Sequence, residues 1–422
     1  MSSSSPNKYT NLYHLATAQL NQAIEICNLD TTVNTILQQP KNEIIVNFPL
    51  RRDDGTYQLL KSYRVQHNNI LGPYKGGLRF SEHIYLDEVK SLSMWMTLKN
   101  SLQCLPYGGA KGGIKINPRE YSKDELERIS RTFCKYMKKY IGPNLDIPAP
   151  DMGTNSQIMD WMSDTYQSFG DKHVNSTFTG KSIECGGSQG REEATGYGVV
   201  CCIRRWAEHN NFDLRGKSYI IQGFGNVGSN TAKLLSQLGM ICVGVGDHTR
   251  YIKSEEGFNV YRLSDYNKVH KCLREYPTGE TITKEDFFGI KCDLVIPAAC
   301  ELVICGEEAN NLNCRVVVEA ANGPLDLDAD GICRTKNIDI IPDILANSGG
   351  VVVSYYEWLQ NNRCEYWKRD DVINKLDQRM VETYNRVLNM HKKDNISMRM
   401  AAYILALQNI ERVYKRVGIG EL

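Results

Sequence analysis

The sequence lacks a charge surplus of either sign: 50 Lys and Arg against 49 Asp and Glu leave a formal net charge of +1 over 422 residues. Without bulk basicity nothing draws in nucleic acid or an anionic membrane surface, so neither is expected as a partner. Long apolar runs are missing as well. No stretch approaches the ~18 consecutive apolar residues of a membrane span, and the opening MSSSSPNKYTNLYHL has no signal-peptide core. Its scarcity of arginine argues against a mitochondrial presequence, although its serines leave that compartment open; a cytoplasmic protein is expected. CxxC pairs, HExxH and Cys/His clusters at zinc spacing are absent, so no metal is expected. The 14 cysteines lie scattered from Cys27 to Cys364 in a chain too long to need disulfide staples. They read as reduced thiols, with Cys201, Cys202, Cys300 and Cys305 as small core residues. There is no internal repeat, no Gly/Ser linker and no low-complexity stretch beyond Ser2 to Ser5. What is present is length for two or three domains of ~150 residues, and a small-molecule function becomes the default.

Alternating runs between Asn42 and Val65, EIIVNFPL and SYRVQH around DDGTY, predict two strands joined by a turn. Leu86 to Leu105 is apolar on most sides and predicts a largely buried helix, on which Leu92, Met96 and Lys99 share one stripe. Lys99 is out of place there, because burying an unpaired ammonium is costly. From Gly216 to Asp247 the rhythm changes to apolar strand, glycine turn, amphipathic helix and apolar strand, one βαβ unit. DLVIPAA (293–299), RVVVEAA (315–321) and IDIIPDI (338–344) predict further strands of a parallel sheet. The fold class is therefore α/β with two domains. Residues 1–183 form an α/β domain joined again by a C-terminal helix in 395–422, and 184–394 form a doubly wound dinucleotide domain.

Gly223, Gly225 and Gly228 make a GxGxxG, weak alone, but here it follows the strand SYIIQ and opens a helix through Asn226 and Val227. Asp247 closes the next strand, 24 residues after Gly223. Glycines let backbone approach a pyrophosphate, the helix N-terminus supplies free N–H groups, and the acid can hold an adenosine ribose. Asp247 favours NAD; His248 and Arg250, immediately following, are placed to accept a 2′-phosphate, so NADP stays open. In the first half, GPYKGGLRF, Lys99 and PYGGAKGG set three lysines among glycines and apolar residues. They read either as solvated turn lysines or as a cation cluster for a substrate with two carboxylates. Lys111, bracketed by Gly108, Gly109, Gly112 and Gly113, is open to close approach, and a desolvated lysine acts as a base near neutrality. Asp151 in IPAPDMGT is either a rigidly presented proton shuttle or the N-cap of a helix over Gln157 to Tyr166.

These stretches, together with SYRVQHNN, LDEVKSLSMWMTLKN, TGKSIECGGSQGREEATGYG, VVVEAANGP and DILANSGGVVVSYYEWLQN, resemble the glutamate dehydrogenase family in its short NAD-linked form, in order along nearly the whole chain. The resemblance implies a substrate domain and a dinucleotide domain with a cleft between them, a homohexamer, and Lys111 and Asp151 as the catalytic lysine and the acid/base aspartate. It implies that Lys99 holds the substrate α-carboxylate and that Lys75 with Ser354 reads the γ-carboxylate. Thr195, Asn226, Asn322 and Asn347 would line the dinucleotide. The related leucine and phenylalanine dehydrogenases carry an apolar residue where Lys75 stands. At three places the chain departs from the family: Ser81 and Glu82 replace His-Pro, Ala320 replaces a frequent glycine, and Arg250 replaces the glycine usual after the ribose-binding acid.

The implied activity is reversible oxidative deamination of L-glutamate to 2-oxoglutarate and ammonium, with hydride transfer to NAD. Lys111 would activate a water and Asp151 would carry the protons of the amine. A branched-chain or aromatic amino-acid dehydrogenase is the alternative of the same chemistry, and a non-catalytic dinucleotide-binding homologue the alternative of another class.

Overall fold

The computed structural model describes residues 11–170 and 175–418; the Ser-rich opening lies outside the described residues. The alternating runs form antiparallel strands β1 (Asn42–Arg51) and β2 (Tyr57–Asn68), in register from Asn42 opposite Gln66 to Arg51 opposite Tyr57. Their turn is closed by the Arg52 N–H donating to the Thr56 carbonyl (2.8 Å), by Thr56 donating to the Asp54 carboxylate, and by Gly55 at φ +86°.

GPYKGGLRF, PYGGAKGG and IPAPD suggest loops in the sequence, and the structure corrects this. They are β3 (Tyr74–Phe80), β4 (Gly109–Ile114) and β5 (Asp146–Pro150) of a sheet ordered β1-β2-β4-β3-β5. Glycine and proline are depleted in strands, which hides these three. Here the missing Cβ atoms are what lets the backbone close up. A Cβ on Gly76 would lie 1.5 Å from the Ala110 carbonyl oxygen, and one on Gly109 would lie 2.2 Å from the Thr97 hydroxyl. Thr97 belongs to the helix Leu86–Leu102, buried along most of its length as its apolar content predicts, though it stops before Leu105. β5 is an edge strand whose Pro148 carbonyl accepts the Thr179 N–H at 3.1 Å. Phe48, Leu60, Phe80 and Ile114 of this sheet pack with Ile129, Phe133, Met159 and Met162 of the helices Lys123–Met137 and Ser156–Gln167.

A second sheet contains the predicted βαβ unit: β6 (Ser218–Gln222), the helix Asn226–Gln237 and parallel β7 (Ile241–Gly246). Two antiparallel three-residue strands follow, β8 (Tyr251–Lys253) and β9 (Glu280–Ile282), too short to show a period in the sequence. The chain then crosses to the far side of β6 for β10 (Leu294–Pro297), β11 (Val316–Val318) and β12 (Asp339–Ile341), all parallel. The order is β12-β11-β10-β6-β7-β8-β9, so winding reverses between β6 and β10. Such a switch point opens a crevice at the carboxyl ends of the strands. Ile220, Val295, Val317, Phe287 and Leu325 fill the core of this sheet and its helices.

The chain divides into two compact units. One is Met1–Arg191, Val352–Val372 and Tyr403–Leu422; the other is Glu192–Val351 and Ile373–Ala402. These bounds differ from residues 183/184 and 394/395 for a physical reason. Residues from the helix Gly349–Arg363 hold the segment after Thr179: Glu357 accepts the Gly180 N–H at 2.7 Å, and the Asn361 amide donates to the Gly186 carbonyl at 2.8 Å. The final helix, Met398–Val417, joins the first unit from Tyr403 onward, where the Tyr403 hydroxyl donates to Gln19 and the Ser101 hydroxyl to the Ala406 carbonyl. No helix is long and apolar enough to cross a membrane among the described residues. Cys201 and Cys202 are buried as expected, but Cys300 is exposed and Cys305 half-buried, because they fall in the loop after β10 rather than in the strand.

Candidate active site

β3, β4 and the loop that leaves β5 bring Lys75, Lys111 and Asp151 to one sheet. Lys111, 3% exposed, donates to Asp151 Oδ2. The solvated-turn alternative for these lysines is thereby removed. Asp151 does not cap the following helix; that helix begins at Ser156, capped by the Asn155 side chain. Instead the Asp151 N–H donates to the Thr154 hydroxyl (2.7 Å), which donates to the Leu78 carbonyl (2.8 Å), fixing the loop against β3. Asp151 Oδ1 accepts from Arg79 Nε at 2.8 Å. Burial alone would raise the Asp151 carboxyl, but Lys111 and Arg79 outweigh it and hold the group far below the usual carboxylate range.

Lys75 is 1% exposed, and its Nζ donates to the Ile147 carbonyl at 3.1 Å. Among the described residues, no carboxylate forms an ion pair with it. Burial first, then the Arg191 and Arg64 guanidinium groups, push its ammonium well below the ordinary lysine range, against the opposing pull of Glu357 and Asp146. Ser354, buried on the helix Gly349–Arg363, accepts from Arg191 Nε at 3.0 Å. Arg191 was not legible in GSQGREEATG, where a cation beside two glutamates looks like solvated surface. Beneath it, Lys181 and Glu357 form a fully buried pair at 2.8 Å. Arg64, also buried, grips Asp146 with two nitrogens and donates to the Gly76 and Gly77 carbonyls, next to Lys75. Lys99 is buried on the helix Leu86–Leu102 that packs under β4.

The second sheet carries the fingerprint at its switch point. Gly223 adopts φ +97°, and a Cβ there would lie 2.6 Å from the Ala299 nitrogen after β10; one on Gly228 would meet the Gly223 carbonyl oxygen at 1.9 Å. A Cβ on Gly225 would meet nothing within 4 Å. Gly223 and Gly228 are thus required by the turn itself, whereas Gly225 leaves open space in front of the helix that Asn226 and Val227 begin. That helix has no side-chain cap at its N-terminus, which leaves N–H groups for an anion. Asn226 Nδ2 donates to the Glu192 carbonyl at 2.9 Å, tethering the turn near Thr195 on the helix Ala194–His209. Asn347 Nδ2 donates to the Ala321 carbonyl and to Asn322 Oδ1, while its own Oδ1 is buried without a hydrogen-bond partner among the described residues. A buried orphan acceptor and a glycine facing open space are what a dinucleotide amide and a pyrophosphate would complete.

Asp247 accepts from the Thr249 N–H and hydroxyl, the Arg250 N–H and the Leu273 N–H, between 2.6 and 3.1 Å. Burial works to raise it, and these donors keep it lowered as a carboxylate. Arg250 is turned away: its guanidinium donates to the Arg274 and Tyr276 carbonyls at 3.1 and 2.7 Å. Of the two cations considered for a 2′-phosphate, only His248 remains largely exposed. Among the described residues, no group of three or more His, Cys, Asp or Glu side chains is arranged to hold a metal ion.

The chain is similar to known proteins along nearly its whole length. Residues 186–418 match the model of Glutamate/Leucine/Phenylalanine/Valine dehydrogenase, and residues 40–168 match the Glu/Leu/Phe/Val dehydrogenase dimerisation domain. A glutamate dehydrogenase of Thermotoga maritima is 43% identical over 409 residues, 97% of this chain and 98% of that protein. An NAD-specific glutamate dehydrogenase of Peptoniphilus asaccharolyticus is 40% identical over 404 residues, 94% of this chain and 96% of that one. The crystal structure of the hetero-hexameric glutamate dehydrogenase from Thermus thermophilus, in a leucine-bound form, superposes with a TM-score of 0.94 at 30% identity, covering 100% of both chains. With two family models spanning most of its length and relatives this similar end to end, the chain belongs to the Glutamate/Leucine/Phenylalanine/Valine dehydrogenase family.

Proposed function

We propose that this chain catalyses the reversible oxidative deamination of L-glutamate to 2-oxoglutarate and ammonium, using NAD. The carrying observation is Lys75. A lysine 1% exposed, bonded among the described residues only to a backbone carbonyl and depressed in pKa by burial and by the Arg191 guanidinium, which itself donates to Ser354, is a buried cation site without a carboxylate of its own, and a second substrate carboxylate would supply one. A leucine or phenylalanine side chain would instead leave that charge stranded. The relatives named for glutamate, and for NAD in the Peptoniphilus protein, support the same choice.

In this reading the first unit binds substrate and assembles the oligomer, and the second binds the dinucleotide. Lys99 takes the α-carboxylate, and Lys75 with Ser354 takes the γ-carboxylate, fixing the substrate Cα. Gly223, Gly225, Gly228 and the helix N-terminus with Asn226 and Val227 would hold the pyrophosphate. Asp247 would hold the ribose, and Thr195, Asn322 and Asn347 the nicotinamide half. When bound, the dinucleotide supplies the hydride acceptor. Lys111 then activates the water that attacks the imine carbon, and Asp151 accepts and returns the amine protons, their direct contact giving the shortest path between them. Asp247 as a bonded carboxylate and Arg250 fastened to backbone both oppose a 2′-phosphate, supporting NAD over NADP. A homohexamer is the assembly proposed. The hetero-hexameric Thermus relative and the outward-facing Tyr57 and Leu59, 73% and 72% exposed on β2, support burial of this face between copies.

The test is oxidation of NADH and NADPH with 2-oxoglutarate and ammonium, by wild type and Lys75→Leu. Faster use of NADH, lost by at least about a hundredfold for 2-oxoglutarate in the variant, is expected. No turnover with either dinucleotide would sink the proposal, and an unimpaired Lys75→Leu would remove the γ-carboxylate assignment.

A further inference from the structure

Beyond the Lys111–Asp151 pair, the site contains a longer line of alternating charge that the proposed mechanism does not use. Glu88, in the first turn of the helix Leu86–Leu102, accepts from Arg79 Nη1 at 2.6 Å; Arg79 Nε donates to Asp151 Oδ1 at 2.8 Å; Asp151 Oδ2 receives Lys111. All four side chains are largely buried, from 3% exposed at Lys111 to 15% at Asp151. We propose that Arg79, shared between Glu88 and Asp151, is a positioning residue for the reaction, holding Asp151 in place and ionised while Lys111 changes its protonation and its partner. This rests on the roles given above to Asp151 and Lys111.

The argument follows from what each cation can do. Lys111 faces Asp151 from β4, and in the proposed reaction it must release its contact to reach water and substrate. A buried carboxylate that loses its only counterion gains a proton, because low dielectric disfavours the bare charge. Arg79 approaches from β3, on the other carboxylate oxygen, and stays protonated at every working pH. Its planar fork explains why one residue can bridge two carboxylates: Nε serves Asp151 and Nη1 serves Glu88. Glu88 fixes the far end of the guanidinium and cancels part of its charge, so Asp151 keeps enough basicity to take a proton. An ion pair needed only for packing would not have to use the oxygen next to the one Lys111 occupies.

Two substitutions test this by steady-state kinetics between pH 5 and 9. Arg79→Lys keeps the charge but its single nitrogen cannot span both carboxylates; kcat is expected to fall at least about tenfold with KM for NADH and 2-oxoglutarate within threefold. Arg79→Met removes the charge, and an acid limb absent from the wild type is expected to enter the profile, activity falling as pH drops toward 5. An Arg79→Lys enzyme with kcat within twofold of wild type overturns the proposal whether or not Arg79→Met folds. So does an Arg79→Met profile flat down to pH 5. Asp151→Asn separates this from the reading beneath it: full turnover there removes the acid/base role itself, while a dead Asp151→Asn beside an unimpaired Arg79→Lys removes only the role of Arg79.

Discussion

Gly77 sits one strand away from the chemistry, yet its missing side chain decides where Asp151 can be. A Cβ on Gly77 would lie 2.8 Å from Asp151 Oδ2 and 2.9 Å from its Cβ. The obstacle is a side chain rather than backbone, so Gly77→Ala is expected to fold and to displace the carboxylate. Turnover should fall by about a hundredfold with NADH affinity nearly unchanged; kinetics within threefold of wild type would show that Asp151 tolerates the shift. Lys75, Lys111 and Asp151 could be picked out in the sequence because lysines among glycines and an aspartate between two prolines on one side and a glycine on the other are unusual. Arg79 and Arg191 could not, since GLRF and GREE look like ordinary charged surface until the fold buries them. The departures at Ser81 and Ala320 are accommodated locally: the Ser81 hydroxyl accepts the His83 N–H at 3.2 Å, and the Ala320 N–H donates to the Pro297 carbonyl at 3.0 Å.

Among the elements, β2 is held by a histidine that has no part in the reaction. His67 is fully buried, with Nδ1 on the Thr97 hydroxyl at 2.9 Å and Nε2 on the Leu37 carbonyl at 3.1 Å, linking β2 to two helices. Burial pushes its pKa down to about 4. The unfolded chain, with an ordinary value near 6.5, therefore binds the proton first as pH falls. The contribution is complete above about pH 6.5 and is lost toward pH 4, about 3 kcal/mol in all. Unfolding midpoints measured from pH 7.5 to 5 should fall more steeply for the wild type than for His67→Gln; parallel slopes would contradict the assignment. The βαβ unit was legible because strand, turn and helix each follow their own periodicity. β3 and β4 were not, because their glycines erase the apolar alternation that marks a strand, and β8 and β9 are shorter than any period.

For the whole molecule, the chain order matters more than any one contact. The second unit is not a contiguous piece: Ile373–Ala402 belongs to it together with Glu192–Val351. Arg399 carries that dependence, donating to both Glu319 oxygens at 2.7 and 2.8 Å and to Asp330 at 2.8 Å. Glu319 in turn accepts the Asp343 N–H, close in sequence to Asn322 on one side and Asn347 on the other. Removing one partner of a buried pair costs about 3–5 kcal/mol. A fragment of residues 192–351 is therefore expected neither to melt cooperatively nor to bind NADH, measured by circular dichroism and by nucleotide fluorescence. A stable, NADH-binding fragment would show that the returning helix is dispensable. The hydrophobic pattern predicts two domains and a final helix that returns to the first, but not the return of Val352–Val372, which depends on contacts across more than 170 positions.

The first sheet ends differently at its two margins. β5 closes one with Pro148 and Pro150, which have no N–H to offer, and with the Pro148 carbonyl already taken by Thr179. β1 forms the other margin and keeps its amides everywhere except at Pro49. In the language of polymer growth, such a sheet is monofunctional. A second copy added across a two-fold axis at β1 would use up the reactive margin of both, and chain growth would terminate at the pair instead of propagating as a fibre.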